Sequence, residues 1–237
     1  LPIWGVYPRS IRSERIAFSP EDTIFEEKEP FITKGICWDD TTGLGIWDCL
    51  TTDQVASALA KARQTTGKKI NIINTDACNM QLIEVAYEWR NEVDYLVGSE
   101  HAIPGDGNHY TSILSFLTVF PTVEPEEFAT TLVEKYYDYY QSRPSHGPTI
   151  YSALNMGAIN EDFMNKFRKF AQRLAEAEGV TRDKIYAAGR SSTYFTDFDS
   201  QSFQYVDLYD FTSHIEQMVE SDPETRRAAE DFVQTRT

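Results

Sequence analysis

Ile70-Asn71-Ile72-Ile73-Asn74-Thr75-Asp76-Ala77-Cys78-Asn79-Met80 is the stretch that decides the fold. Residues 70–73 form a short apolar run of the length of a buried strand. Beyond Met80 the apolar residues Leu82, Val85, Ala86 and Trp89 recur with a helical period. A strand therefore hands over to a helix, and Cys78 is expected at the first helical positions. Amide groups at a helix start carry partial positive charge and favour a thiolate, the form that attacks carbonyls. Asp76 works against that thiolate unless it serves a cationic substrate; its other reading is a helix N-cap. The other reading of Cys78 is a small core residue.

Working outward, Thr51-x-x-Gln54 is a capping box, and Val55, Ala58, Leu59 and Ala62 form one apolar helical face that Gly67 ends. Tyr95-Leu96-Val97-Gly98 closes a strand–helix–strand unit, which calls for parallel pairing and a right-handed crossover. Gly35-Ile36-Cys37-Trp38 reads as a short strand, followed by the turn Asp39-Asp40-Thr41-Thr42-Gly43. Glu124-Pro125 opens a helix carrying Phe128, Leu132, Tyr136 and Tyr139. Ile150-Tyr151-Ser152-Ala153-Leu154 reads as a strand, and Phe163, Phe167, Phe170 and Leu174 line another helix. Tyr205-Val206-Asp207-Leu208-Tyr209 is a short strand or a helix entry, and Asp222-Pro223 caps a last helix.

Alternating strands and helices indicate an open, mostly parallel α/β sheet covered on both faces, with about four strands legible. Ligands in such sheets bind at the carboxyl ends of strands, where Cys78 and the 99–106 loop both fall. Residues 8–31 are polar and broken by Pro8, Pro20 and Pro30, with Arg9, Arg12, Arg15, Lys28 and Lys34 in or just beyond the stretch. The expected organisation is an exposed insertion over 1–34 and a single domain over 35–237.

The chain has 237 residues, 41% hydrophobic and 13% aromatic, ample for a packed core. Its 22 Lys and Arg against 37 Asp and Glu give a net charge of −15, which repels phosphate backbones and excludes nucleic acid as a partner. The same charge suits basic peptides, or simply keeps the surface solvated. No stretch approaches the apolar length of a membrane span. The start, Leu1-Pro2-Ile3-Trp4, lacks Met and a basic leader and reads as a processed or trimmed product. Cys37 and Cys49 could form one bridge, although buried thiols are the expected state of both. No His, Cys and acid cluster has zinc-ligand spacing, and no G-x-S-x-G, P-loop or dinucleotide fingerprint supports another α/β enzyme.

The strand after Cys78 ends in Gly98-Ser99-Glu100-His101-Ala102-Ile103-Pro104-Gly105-Asp106-Gly107. With Asp39-Asp40-Thr41-Thr42-Gly43, Leu50-Thr51-Thr52, Asp76-Ala77-Cys78-x-Met80, Glu84-Val85-Ala86-Tyr87-Glu88 and Asp94-Tyr95-Leu96-Val97, the chain resembles the clostripain-like cysteine peptidases, relatives of caspases, gingipains and legumains. Ser152-Ala153 and Val206-Asp207-Leu208-Tyr209-Asp210-Phe211 extend the likeness, which spans roughly 36–212. The resemblance implies a three-layer α/β/α, caspase-like fold and an endopeptidase that cuts after Arg or Lys with a Cys–His dyad. Cys78 matches the nucleophile. Asp76 and Asp106 match acidic residues at the floor of the pocket for the basic side chain, although Asp106 also reads as a turn aspartate between glycines. Ser99, His101 and His109 are candidates for the rim of the site; loop histidines are also ordinary surface residues.

In the family the catalytic histidine precedes the cysteine in a His-Gly motif. Here His101, His109, His146 and His214 all follow Cys78, and His146-Gly147 stands in the wrong order. Leu1-Pro2 looks like the continuation of a Trp-Leu-Pro stretch after that histidine. The expectation is therefore a histidine upstream of Leu1, on a light chain or an adjoining segment, with 8–34 holding candidate self-processing sites. The resemblance also implies that calcium is compatible with activity and that the protein is secreted or extracytoplasmic. No other cofactor is required. The competing class is a non-catalytic peptide-binding module that keeps the peptidase fold without its base.

Overall fold

A computed structural model describes residues 35–39, 48–143, 150–196, 203–219 and 222–233. The expectations for residues 1–34, the turn over 40–43 and His146-Gly147 lie outside the described residues. The chain divides after Gly157 into two compact units.

In the first unit, β1 (Gly35–Asp39) and β2 (Asp48–Thr51) pair antiparallel, with a register shift between Ile36 and Asp39. Cys37 lies inside that irregularity with φ 58, a left-handed conformation that non-glycine residues seldom adopt. Cys37 and Cys49 are thiols, as expected, but half-buried rather than buried. Helix α1 (Thr52–Thr66) begins at the anticipated capping box, where the Thr51 N–H donates to Gln54 Oε1 at 3.0 Å. Gly67 ends it with φ 71, its N–H donating to the Arg63 carbonyl at 2.8 Å.

The apolar run becomes β3 (Ile70–Asn74), which pairs parallel with β4 (Val93–Gly98) in the register Ile70↔Val93 to Asn74↔Val97. Helix α2 (Ile83–Trp89) connects them, with Val85, Ala86 and Trp89 buried. The Trp89 indole N–H donates to the Thr52 carbonyl at 2.9 Å and ties α2 to the start of α1. Helices α3 (Tyr110–Val119) and α4 (Pro125–Gln141) follow, and β5 (Ser152–Asn155) joins the far side of β4.

The mostly parallel sheet expected from the sequence is not the one that forms. β5 runs antiparallel to β4 (Tyr95↔Asn155, Gly98↔Ser152), so this three-stranded sheet, ordered β3-β4-β5, is mixed rather than mostly parallel. The strand–helix–strand crossover fixes only the β3–β4 pair, whereas the direction of β5 follows from its longer connection and not from its own residues. Val97, Ile113, Ala129 and Leu132 form a core between β4, α3 and α4.

The second unit holds α5 (Glu161–Glu176), α6 (Gly179–Ser191), the antiparallel pair β6 (Tyr194–Thr196) and β7 (Phe203–Val206), α7 (Leu208–Met218) and α8 (Pro223–Val233). The ambiguous 205–209 stretch is both things in turn: β7 stops at Val206, and the Asp207 carboxylate accepts the Asp210 N–H at 2.6 Å to cap α7. Phe170, Ala188, Ile215, Val219, Ala228, Ala229 and Phe232 make the core, with Phe163, Phe167 and Leu174 packed on it from the anticipated face of α5. Among the described residues no helix is long and apolar enough to cross a membrane.

Candidate functional site

Cys78 lies past the carboxyl end of β3, but not on a helix. Residues 78–81 form a turn flanked by bends at Ala77 and Leu82, Asn79 takes φ 60, and α2 begins only at Ile83. With the helix starting at Ile83, a helix dipole is not what favours a thiolate at Cys78. Its place is taken by the loop after β4, which lies alongside the cysteine turn. The Asn79 N–H donates to the His101 carbonyl at 3.2 Å, the Gln81 N–H to the Ser99 carbonyl at 3.1 Å, and the Ile103 N–H to Cys78 Sγ at 3.4 Å. An amide directed at sulfur favours the charged thiolate by hydrogen bonding rather than by a helix dipole. Cys78 is half-buried.

The approach of these two loops rests on small groups. The Thr75 N–H and hydroxyl both donate to the Val97 carbonyl, at 2.9 and 3.2 Å. A Cβ on Gly98 would collide with the Thr75 hydroxyl, so glycine is needed where the strands end.

Asp76 is half-buried, and its carboxylate gathers the next part of the loop. It accepts the Asn108 N–H at 3.1 and 3.3 Å on its two oxygens, and the Tyr110 hydroxyl at 2.7 Å. Gly107 lies against it with φ +62, and a Cβ there would come within 2.5 Å of the carboxylate. Asp106, the preceding residue, is exposed, with the Tyr139 hydroxyl 3.5 Å from its Oδ2. The same loop therefore connects both anticipated aspartates, one through its backbone and one through its side chain.

Five tyrosines surround this loop, and sequence reading assigned none of them to the site. The Tyr140 hydroxyl donates to the Gly107 carbonyl at 2.7 Å. Tyr151 shares its proton between Asn74 Oδ1 at 2.7 Å and the Thr75 carbonyl at 2.9 Å, and accepts from the Asn108 side-chain amide at 3.0 Å. Tyr136 stacks on Tyr151 with ring centroids 4.0 Å apart. Burial, then the charges of Asp106 and Asp76 among its neighbours, raises the Tyr140 hydroxyl well above its ordinary pKa. Burial, and after it the neighbouring tyrosines, Asp76 and Cys78, do the same to Tyr136. Tyr110 is raised by burial and by its bond to Asp76 and stays a donor through the neutral range. The available signal was the residue type itself: a Tyr packed where Phe would serve usually finds a partner for its hydroxyl, as Tyr140 and Tyr151 do. Tyr136 Oη and Asn108 Oδ1 are buried without a hydrogen-bond partner among the described groups.

The anticipated rim divides. Ser99 is wholly buried and accepts the His101 N–H at 3.0 Å, so it braces the loop from inside rather than lining a rim. His101 is half-buried, and burial lowers its pKa below the usual histidine value. His109 precedes α3 and stacks on Tyr139 with centroids 4.5 Å apart, while the Arg143 guanidinium lies 3.7 Å from the centroid of the same ring. His214 lies in the second unit, 2.9 Å from the Asp210 carbonyl through Nδ1. Among the described residues no group of three or more His, Cys, Asp or Glu is arranged to hold a metal ion.

A family model described as the Clostripain family matches residues 18–236. The chain is 32% identical over 95 residues to clostripain from Hathewaya histolytica, a match covering 37% of this chain and 17% of that protein. It is similar in fold to an inactive zymogen C11 protease from Parabacteroides distasonis, with a TM-score of 0.53 and 21% identity, covering 76% of this chain and 44% of that one. It is likewise similar to a secreted C11 cysteine protease from Bacteroides thetaiotaomicron in complex with an irreversible peptide inhibitor, with a TM-score of 0.57 and 22% identity, covering 89% of this chain and 51% of that one. The chain thus spans only part of the length of these relatives, and the structural likenesses speak for the α/β fold alone.

Proposed function

The chain belongs to the clostripain family, and from that premise we propose that it is the cysteine-bearing part of an endopeptidase that cleaves after Arg or Lys. Cys78 attacks the scissile carbonyl as a thiolate and forms a thioester. The leaving amine takes a proton from an imidazolium, and water activated by the resulting imidazole releases the acid. Asp76 and Asp106 receive the basic side chain, and a net charge of −15 draws such substrates in. The observation that carries this reading is the loop of residues 99–110, which directs the Ile103 N–H to Cys78 Sγ and binds the Asp76 carboxylate through Asn108 and Tyr110.

The imidazole is proposed to come from a segment upstream of Leu1, joined or separate. Support lies in the order of the chain, with every histidine after Cys78, and in the sheet, where β3 is an edge strand among the described residues. The caspase-like three-layer arrangement, processing within 8–34 and an extracytoplasmic location belong to the same proposal. A non-catalytic peptide-binding module is the competing reading, favoured by the same lack of an upstream histidine in this chain.

The test is hydrolysis of fluorogenic peptides with Arg or Lys before the cut bond, with and without the upstream segment, alongside Cys78→Ala. Cleavage should need the segment and fall by about four orders of magnitude or more in the alanine variant. Peptide binding without turnover in the completed protein would establish the module instead.

A further inference from the structure

Tyr110 has no assigned role, yet its hydroxyl makes a 2.7 Å contact with the carboxylate proposed to receive a basic side chain. With the Asn108 N–H bridging both oxygens at 3.1 and 3.3 Å, it leaves Asp76 held at both oxygens. A carboxylate can accept about four hydrogen bonds, so capacity for a cation remains, but the plane of the group is no longer at liberty to turn. These same bonds draw Gly107 against Asp76, close enough that no side chain fits there, and Gly107 is the residue next to Asp106. Tyr140 closes the loop from the other side through the Gly107 carbonyl at 2.7 Å.

We infer that Tyr110 is a positioning residue for the recognition of basic side chains, fixing the Asp76 carboxylate in one orientation and locking the loop that carries Asp106 against it. A cation then meets two negative groups already in place and spends none of its binding energy on ordering them. This rests on the peptidase reading above and deepens its account of specificity.

The experiment compares wild type, Tyr110→Phe, Asp76→Asn and the double variant in the full protein, on matched peptides carrying arginine or its neutral isostere citrulline before the cut bond. Tyr110→Phe keeps the ring and removes only the donor. It should lower kcat/KM for the arginine peptide by about tenfold, the loss carried by KM, while the citrulline peptide changes by less than about twofold. The double variant should be no poorer than Asp76→Asn alone, because the two groups act as one. Equal loss on both peptides, unchanged selectivity, or additive losses in the double variant would each overturn the inference.

Failure of the peptidase reading shows separately, as wild-type protein that cleaves neither peptide in a thiol-dependent way. In that case hydrogen exchange at the Asn108 amide decides the lock: faster exchange in Tyr110→Phe than in wild type supports it, and equal exchange overturns it.

Discussion

The aromatic clusters of the two units are built from nearly the same ring and do different work. In the second unit Phe163, Phe167, Phe170 and Phe232 pack among aliphatic side chains, with Phe170 and Phe232 stacked at 5.7 Å and essentially no exposure. In the first unit Tyr110, Tyr136, Tyr139, Tyr140 and Tyr151 gather around Asp76, Asp106 and Gly107, and four of the five hydroxyls contact a carboxylate or a carbonyl. A phenyl ring is satisfied by any apolar neighbour, so its cluster contributes burial. A phenol also demands a partner at a fixed distance and direction, so its cluster fixes a loop in one geometry. Stability without direction suits a helical core, and direction is what a recognition loop requires.

Two substitutions test this contrast, and a third gives a reference effect outside both clusters. The largest effect should come from the apolar side: Phe170→Ala removes a side chain that is 1% exposed and should cost about 3–5 kcal/mol in denaturant unfolding. A loss below about 1 kcal/mol would show that the phenylalanine cluster is not the core of its unit. Tyr151→Phe should cost less, about 1–3 kcal/mol, since the ring remains while Asn74, Thr75 and Asn108 lose a shared partner. It should also loosen the 104–110 loop in hydrogen exchange. An unchanged loop would place the tyrosines among packing residues like the phenylalanines.

The smallest effect is at a helix cap, where neither kind of ring is involved. The Asp222 carboxylate accepts the Thr225 and Glu224 N–H groups, each at 3.1 Å, and the Thr225 hydroxyl at 2.8 Å. Hydrogen bonding from the Thr225 N–H, above other causes, holds its carboxyl below the ordinary value. A depressed folded pKa means that this stabilisation is present above the unfolded value of about 3.9 and is lost as pH falls through the lower folded one. Asp222→Ala should therefore cost about 1 kcal/mol at pH 7. Its difference from wild type should narrow as the pH drops below about 4. A difference that persists undiminished in strong acid would remove the ionised cap as its source.

Much of the fold is legible because the signals are local. Thr51 and Gln54 are three residues apart, Pro125 and Pro223 each start a helix, and the α5 phenylalanines repeat at helical spacing, so each element declares itself within one or two turns. Two readings failed, one for a local backbone reason and one for a topological reason, and composition carries neither. The helix expected at Cys78 is delayed to Ile83 because Asn79 adopts φ 60, an option open to Asn that its sequence position does not enforce. β5 turned out antiparallel because strand direction follows the path of the intervening chain, not the strand's own residues.

The amino-acid order alone supplied most of the elements, several caps, the family resemblance and the choice of Cys78, Asp76 and Asp106 as the residues to watch, but not β2, α3, α6 or β6. It did so because helical period, turn chemistry and motif spacing are properties of neighbouring residues. Only tertiary structure decided that the Ile103 amide faces the sulfur, that Ser99 is buried, and that Tyr110, Tyr140 and Tyr151 hold the loop between the two aspartates. Those partners lie 25 to 77 residues apart in the chain. A hydrogen bond across such a separation forms only when sheet, turn and helix have fixed donor and acceptor within about 3 Å of each other.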